Sequence, residues 1–143
     1  MSTEQNKALV RQLVEQVLNQ GNTSMIDELL TPDFVEHEEL PPGIPPGREA
    51  PKALFTMLHS AFPDIKATIE HLIAEGDKVV LHMTWTGTHK AEFMGIPSTG
   101  KRIAINVIDI LGIAEGKFTA HWGVMDSMAM MQQLGVVPAP GAG

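Results

Sequence analysis

The sequence contains no cysteine among its 143 residues. This absence excludes disulfide bonds, zinc sites built on thiolates and cysteine nucleophiles, and it is typical of a protein from a reducing compartment. A chain of this length can bury the core of one domain without such cross-links. We therefore expect a single globular domain, whose chemistry depends on other side chains.

Positive charge is also scarce. The chain has 10 Lys and Arg against 17 Asp and Glu, a formal net charge of −7, and never more than two basic residues in a row. Proteins that bind nucleic acid or anionic membrane surfaces by charge carry clustered Lys and Arg. The sequence therefore predicts that neither nucleic acid nor a membrane is a partner.

Long apolar runs are missing as well. No segment approaches the roughly 18 uninterrupted apolar residues that span a membrane. The opening residues, MSTEQNKALV, lack the charged and apolar regions of a secretion signal. These absences predict a cytoplasmic protein.

Motifs for metals and nucleotides are not found. The six histidines have neither HExxH nor another paired spacing, and no Gly-rich phosphate loop follows a strand. We therefore expect neither a metal nor an organic cofactor.

Helical periodicity dominates the first part of the chain. Apolar residues recur every three or four positions over 9–18, behind Ser2 and Thr3 as candidate caps and before Gly21. The same reasoning predicts a short second helix around 26–30 that Pro32 stops, a strand at 34–37, and a third helix that opens near 48–51 and stops before Pro63.

A proline-rich segment interrupts this pattern at residues 38–47. Its sequence, EELPPGIPPG, holds four prolines and two glycines, which exclude a helix or a central strand. We interpret it as a stiff surface loop. A lid over a binding site and a plain connector remain equally open.

From Ile65 onward the apolar period changes from about 3.6 to 2. Alternation predicts strands over 65–73, 79–89, 101–113 and 118–125, with turns at 75–77 and 115–116. In the first of these strands it places Ile69, His71 and Ile73 on one face. A short helix over 127–134, capped by Asp126, and a fraying tail over 136–143 complete the chain. Helices followed by an antiparallel meander indicate an α+β fold, most simply a curved antiparallel sheet wrapped around the N-terminal helices.

The last hairpin carries the most informative side chains. In its first strand the odd positions from 103 to 113 are aliphatic except Asp109. In its second strand alternation places His121, Gly123 and Met125 on one face, and Phe118, Ala120, Trp122 and Val124 on the other. We therefore expect His121 to lie near Asp109 on the concave side of the sheet.

Both residues have a catalytic and a structural interpretation. A desolvated Asp109 carboxylate would suit proton abstraction next to a carbonyl group, but it could equally be satisfied by the backbone or a neighbouring histidine. His121 could act as a base, as an oxyanion partner or as a structural hydrogen-bonding group.

Several strings resemble the SnoaL-like polyketide cyclases, the ester cyclase branch of the nuclear transport factor two-like superfamily. They are GTHKAEFMGIPSTGK at 87–101, then IDILGIAEGKFTAHWGVMD and MQQLG, with NKALVRQLVEQVLNQGN, LLTPDFVEHE and AFPDI earlier in the chain. The resemblance implies one cone-shaped α+β-barrel domain over 1–135 with a deep apolar pocket, usually in a homo-oligomer. It also implies cofactor-free aldol ring closure of an aromatic polyketide methyl ester, with an aspartate as acid/base catalyst.

The chain departs from this family at the catalytic position. The family's aspartate lies two residues after the histidine of the last strand, where this sequence has Gly123 in His121-Trp122-Gly123. A family pocket histidine on the preceding strand aligns with Asp109. We hypothesise that the catalytic carboxylate has moved across the hairpin to Asp109 and still reaches the same cavity.

Further pocket residues are predicted, each with a structural alternative; only His89 and Phe93 among them come from the resemblance. They are His37 at the pocket rim or an exposed strand end, Trp85 as pocket wall or core, His89 and Phe93 in the family string or its turn, and Met125 at the cavity mouth or in packing.

Three functions remain open at this point. The favoured one is a cyclase-type lyase or isomerase that uses Asp109 and His121 on a small apolar carbonyl compound. The others are a hydrolase in which these residues activate water, and a non-catalytic binder, which the glycine at 123 would fit. The open face of the sheet, with Thr84, Ile108 and Ile110, further predicts a homodimer.

Overall fold

The chain opens with a helix whose N-terminus is capped by its own side chains. In a computed structural model, which describes residues 2–138, helix α1 spans Thr3–Leu13. Ser2 Oγ accepts from the Gln5 amide at 3.1 Å, and Gln5 Oε1 accepts from the Ser2 amide at 2.9 Å. This capping box satisfies two otherwise unpaired donors. The helix continues as a wider π-helical segment, Val14–Asn19, so the predicted first helix is confirmed.

Shorter helices and an edge strand follow. A 3₁₀ turn, Thr23–Met25, leads into α2, Ile26–Leu29, and α3 spans Glu49–Ala61. Between them β1, Leu30–Glu36, begins earlier than the sequence predicted and includes Pro32. Because β1 lies at the edge of the sheet, a residue without an amide proton is tolerated there.

The second part of the chain forms a curved, unclosed sheet. The strands are β2 Lys66–Glu75, β3 Lys78–Thr88, β4 Arg102–Ala114 and β5 Lys117–Met125, followed by α4 at Ser127–Leu134. The order is β1-β5-β4-β3-β2, antiparallel throughout except that β1 runs parallel to β5. The predicted α+β class is confirmed.

The core lies between the concave face of the sheet and the helices. In β4 every odd position from Ile103 to Ile113 is buried, as alternation predicted, and every even position up to Ile110 is exposed. Buried apolar residues of α1, the π-helical segment and α3 pack against this face. None of the helices in the described part of the chain has the length and hydropathy of a membrane span.

Two β-bulges change which side chains face this core. The pairing of β2 with β3 shifts between Ile69 and His71, and Ile73 is 60% exposed instead of sharing the inner face with Ile69. The pairing of β4 with β5 shifts between Gly112 and Ile113, and Phe118 is fully buried. The predicted orientations of Ile73 and Phe118 were wrong because one extra residue reverses the alternation beyond it.

Of the predicted tail over 136–143, residues 139–143 lie outside the described residues. The domain's last helix ends at Gly135, which adopts a left-handed conformation with φ of 80°. That conformation suits a glycine that terminates a helix.

Candidate active site

A cavity of about 380 Å³ lies between the concave sheet and the helices. Most of its wall is apolar and comes from several elements; among the contributors are Leu54, Leu58, Leu81, Met83, Val107 and Phe118. The polar side chains in the wall include Glu36, Glu38, Asp109 and His121. The cavity therefore has a mostly apolar lining with a small set of titratable groups, which is the usual composition of a small-molecule site.

His121 lies between two carboxylates. Its Nε2 is 2.7 Å from Asp109 Oδ1, and its Nδ1 is 2.5 Å from Glu36 Oε2. The side chains are 17% exposed for His121, 12% for Asp109 and 7% for Glu36. Asp109 comes from β4 and His121 from β5, while the parallel pairing of β1 brings Glu36 directly opposite His121.

The two carboxylates determine the charge of the imidazole. Burial by itself would lower the pKa of His121, but the hydrogen bonds and charges of Asp109 and Glu36 outweigh burial and raise it to about 10. At neutral pH His121 is therefore an imidazolium that donates from both ring nitrogens. A ring in that state cannot accept a proton, so the geometry favours the predicted charge-stabilising role of His121 over its role as a base.

In the ion pair of Asp109 and His121, one carboxylate oxygen of Asp109 has no hydrogen-bond partner in the described part of the chain. Its Oδ1 accepts from His121, whereas Oδ2 accepts no hydrogen bond from any side chain or amide within residues 2–138. The residue lines the cavity and is surrounded on β4 by the aliphatic side chains that alternation predicted. A carboxylate held at one oxygen and open at the other can accept a proton from a bound molecule.

Two acidic residues of the site were not singled out from the sequence. Glu36 ends β1, and Glu38 follows it at the start of the proline-rich loop. Burial raises the pKa of Glu38, and the nearby charges of Asp109 and Glu36 raise it further against the opposing effect of His121. Alternation from the buried Phe34 could have placed Glu36 on the inner face, but nothing local indicated that Glu38 turns towards the same cavity.

Gly123 lies at the centre of this cluster. A Cβ atom at this position would lie 2.5 Å from Asp109 Oδ1, 2.6 Å from Glu38 Oε1 and 2.8 Å from His121 Cε1. All three distances are shorter than real Cβ contacts, so a side chain would have to displace these groups. The space beside residue 123 is occupied by the carboxyl oxygens of Glu38 and Asp109.

Glu38, Asp109 and His121 could also offer ligand atoms to one cation. One such atom from each lies within 4.8 Å of the others. His121 could take part only by releasing a proton of pKa about 10 and breaking a hydrogen bond to Asp109 or Glu36. The arrangement therefore suits ion pairing better than metal coordination.

Four of the five further pocket candidates contact the cavity. Trp85, Phe93 and Met125 line it, and His37 lies at its rim. The His37 side chain is exposed, and its ring stacks on that of Trp122 at a centroid distance of 4.5 Å. Trp85 is 5% exposed, and its Nε1 has no hydrogen-bond partner in the described part of the chain.

His89 does not reach the cavity, contrary to the prediction. It is fully buried, its Nδ1 accepts from the Thr99 amide at 3.2 Å and lies 3.0 Å from Thr99 Oγ1, and its ring stacks on Phe62. These contacts hold the loop between β3 and β4, which contains Thr99, against Phe62 of the core. The histidine of the GTH string therefore stabilises the packing of this loop and does not line the cavity.

Comparison with known proteins agrees with this fold. The SnoaL-like polyketide cyclase family matches residues 8–134 of the chain. The nogalonic acid methyl ester cyclase of Streptomyces nogalater is 28% identical over 119 residues, which cover 82% of this chain and 88% of that protein. The aklanonic acid methyl ester cyclase DauD of Streptomyces sp. (strain C5) is 33% identical over 135 residues, which cover 89% and 80% respectively.

Solved structures of similar proteins have the same fold. TsrD from Streptomyces laurentii superposes with a TM-score of 0.86 at 29% identity, covering 96% of this chain and 99% of its own. IdmH, a putative polyketide cyclase from Streptomyces antibioticus, superposes with a TM-score of 0.77 at 31% identity, covering 90% and 96%. On the family match and these relatives, the chain belongs to the SnoaL-like polyketide cyclases.

Proposed function

We propose that the protein is a cyclase-type enzyme that closes a ring in a small apolar carbonyl compound by acid/base catalysis from its own side chains. The observation that carries this proposal is the carboxylate of Asp109. One of its oxygens is held by the His121 imidazolium, the other accepts no hydrogen bond within residues 2–138, and the residue lines a mostly apolar cavity.

Asp109 is the base of the proposed reaction. Its Oδ2 takes a proton from a carbon next to a carbonyl group, and the C–H electron pair becomes an enolate. The mostly apolar wall limits the water that would otherwise compete with the bound molecule for this oxygen. Asp109 thereby supplies the carboxylate that the family position at Gly123 lacks.

His121 is the charged positioning group. Its two N–H donors are fixed by Glu36 and Asp109, so the ring orientation is set from both sides. The positive charge stabilises the ionised carboxylate of Asp109 before reaction and offsets negative charge that develops on the bound molecule. Glu36 acts through His121 and reacts with nothing itself.

The cavity supports a substrate of limited size and low polarity. A volume of about 380 Å³ falls near the lower end of the roughly 300 to 1,000 Å³ of small-molecule pockets. The similar Streptomyces proteins are cyclases of nogalonic and aklanonic acid methyl esters. We propose a substrate of this class, an aromatic polyketide methyl ester with a ketone and an acidic C–H group.

A non-catalytic binder of the same kind of molecule is the second candidate. Gly123, at the position of the family's aspartate, is the observation that favours it. The second oxygen of Asp109 favours the enzyme, because a carboxylate oxygen without a protein partner can take a proton from a molecule bound in the cavity.

The test is turnover of an aromatic polyketide methyl ester by the protein and by Asp109→Asn. The substitution keeps the shape and removes the base, so ring closure should slow by about 10²- to 10⁴-fold while the variant remains folded. Asp33→Asn, an exposed change on β1, is the matched control and should retain the rate. Binding without turnover by the unmodified protein would identify a binder and contradict the enzyme.

A further inference from the structure

We infer that Glu38 is the general acid of this site, and that Glu38 and Asp109 form a two-carboxyl pair in which one group accepts and the other donates a proton. The inference rests on the proposed ring closure and adds the second catalytic group that this reaction requires. Ring closure removes a proton from carbon and delivers one to the oxygen of the carbonyl that is attacked. His121 cannot be that donor without leaving a carboxylate, because Glu36 and Asp109 engage both of its N–H groups.

The two carboxyl groups face the same small volume. Glu38 Oε1 and Asp109 Oδ1 lie 2.6 Å and 2.5 Å from the point that a Cβ of residue 123 would occupy. Both residues line the cavity, although Glu38 comes from the segment after β1 and Asp109 from the middle of β4. The glycine leaves the space in which Glu38 Oε1 and Asp109 Oδ1 approach each other. We therefore infer that a molecule bound in the cavity can contact Glu38 and the second oxygen of Asp109 together.

The surroundings of Glu38 raise its pKa and so favour its protonated form. The titratable groups in the cavity wall are Glu36, His37, Glu38, Glu39, Asp109 and His121. If Glu36, Glu38 and Asp109 were all ionised, three negative charges would share the one imidazolium of His121. Burial is the main factor that raises the pKa of Glu38. The charge of His121 lowers this pKa, and the charges of Asp109 and Glu36 raise it.

Glu38 differs from the other two acids in its hydrogen bonding. Glu36 and Asp109 each accept from His121, as expected of ionised groups. The carboxyl group of Glu38 makes no hydrogen bond within the described residues, and only its backbone amide is engaged, donating to Glu36 Oε2 at 3.3 Å. Its proton is therefore available to a bound carbonyl oxygen.

The proposed step balances without a co-reactant. Asp109 takes the α-proton, and the C–H electron pair forms the enolate. The enolate carbon bonds to the second carbonyl carbon, whose π electrons move to its oxygen, and that oxygen takes the proton of Glu38. Asp109 then holds one proton and Glu38 none, so a transfer from Asp109 to Glu38, directly or through one water molecule, restores both groups.

The experiment separates the two proton transfers. Exchange of the substrate α-proton with D₂O, followed by mass spectrometry, requires only the base, whereas ring closure requires base and acid. Glu38→Gln should retain α-exchange at about the rate of the unmodified protein but slow ring closure by about 10²-fold. Asp109→Asn should lose both activities. Glu28→Gln, which changes an exposed glutamate on α2 outside the cavity wall, is the matched control and should change neither.

A pH profile provides the second readout. Ring closure by the unmodified protein should fall on the alkaline side as Glu38 loses its proton, and this alkaline fall should disappear in Glu38→Gln. Ring closure by Glu38→Gln at the unmodified rate would overturn the role of Glu38 and leave the proposed function intact. Absence of any Asp109-dependent exchange or ring closure would overturn the proposed function, and the role of Glu38 with it.

Discussion

Asp109 and Gly123 are direct cross-strand partners in the antiparallel pair of β4 and β5. The carboxylate of Asp109 extends over Gly123, and its Oδ1 lies 2.5 Å from the point that a Cβ of residue 123 would occupy. The absence of a side chain on one strand and the acid on its neighbour are therefore one structural feature. Substitutions at Asp109 and Gly123 should therefore affect each other, and a double variant can measure that coupling.

Gly123→Ala should destabilise the protein although alanine normally suits a strand better than glycine. The added Cβ would overlap Asp109 Oδ1 and Glu38 Oε1, and overpacking of this kind costs about 1 to 3 kcal/mol. Combining it with Asp109→Ala removes one of the overlapping groups. Urea denaturation should then show that the double variant is more stable than the sum of the single effects predicts, by about 0.5 kcal/mol or more. Strictly additive effects would contradict the close approach of these residues.

His121 should keep its proton across the neutral range. Its folded pKa of about 10 lies above the unfolded value of 6.5, so its contribution to stability is complete below about pH 6.5 and is lost as the pH rises towards 10. The raised pKa of Glu38 changes stability in the same direction. The measurement is therefore the difference between the unfolding free energies of the unmodified protein and His121→Gln, which should shrink over this window.

NMR of the imidazole nitrogens provides the direct observation for His121. Both should carry protons at about pH 7. His71→Gln, which changes an exposed histidine outside the cavity, is the control and should leave the His121 signals unaltered. A His121 ring that titrates near pH 6.5 would contradict the proposed ion pairs.

The two tryptophans should report separately on the cavity. Trp85 is 5% exposed and lines the cavity, whereas Trp122 is 37% exposed and stacks on His37. In Trp122→Phe the remaining tryptophan is Trp85, and an anthraquinone methyl ester should quench its fluorescence saturably. In Trp85→Phe the same ligand should quench less. Equal quenching in both variants would place the ligand outside the cavity.

We propose that the protein forms a homodimer through the convex face of the sheet. Val80, Ile110 and Trp122 are neighbours across β3, β4 and β5, and Ile108 and Val124 extend the same exposed apolar patch. Apolar patches that cross several strands often mark interfaces. Light scattering should give the mass of a dimer, and Ile108→Lys should give a monomer.

Ser60→Lys, which adds the same charge to an exposed position on α3, is the control for the dimer and should leave the mass unchanged. A monomer of the unmodified protein at micromolar concentration would dispose of the proposed interface.

Features that depend on neighbouring residues can be predicted from the amino-acid sequence. The capping box at Ser2, the alternation that turns Asp109 inward and the short connection between β4 and β5 are all local, because a few adjacent side chains decide each of them. The same periodicity correctly predicted that Asp109 and His121 would face one another. The α+β class followed from the order of helical and strand periods.

The groups that come from distant parts of the chain to complete the site depend on how the strands assemble. Glu36 bonds to a histidine 85 residues away because β1 joins the edge of the sheet in parallel, and no local pattern encodes that pairing. The bulges that turn Ile73 outward and Phe118 inward likewise depend on the fit between strands. The turn of Glu38 towards Gly123 depends on the space that a missing side chain leaves in another strand, which exists only once the sheet has formed.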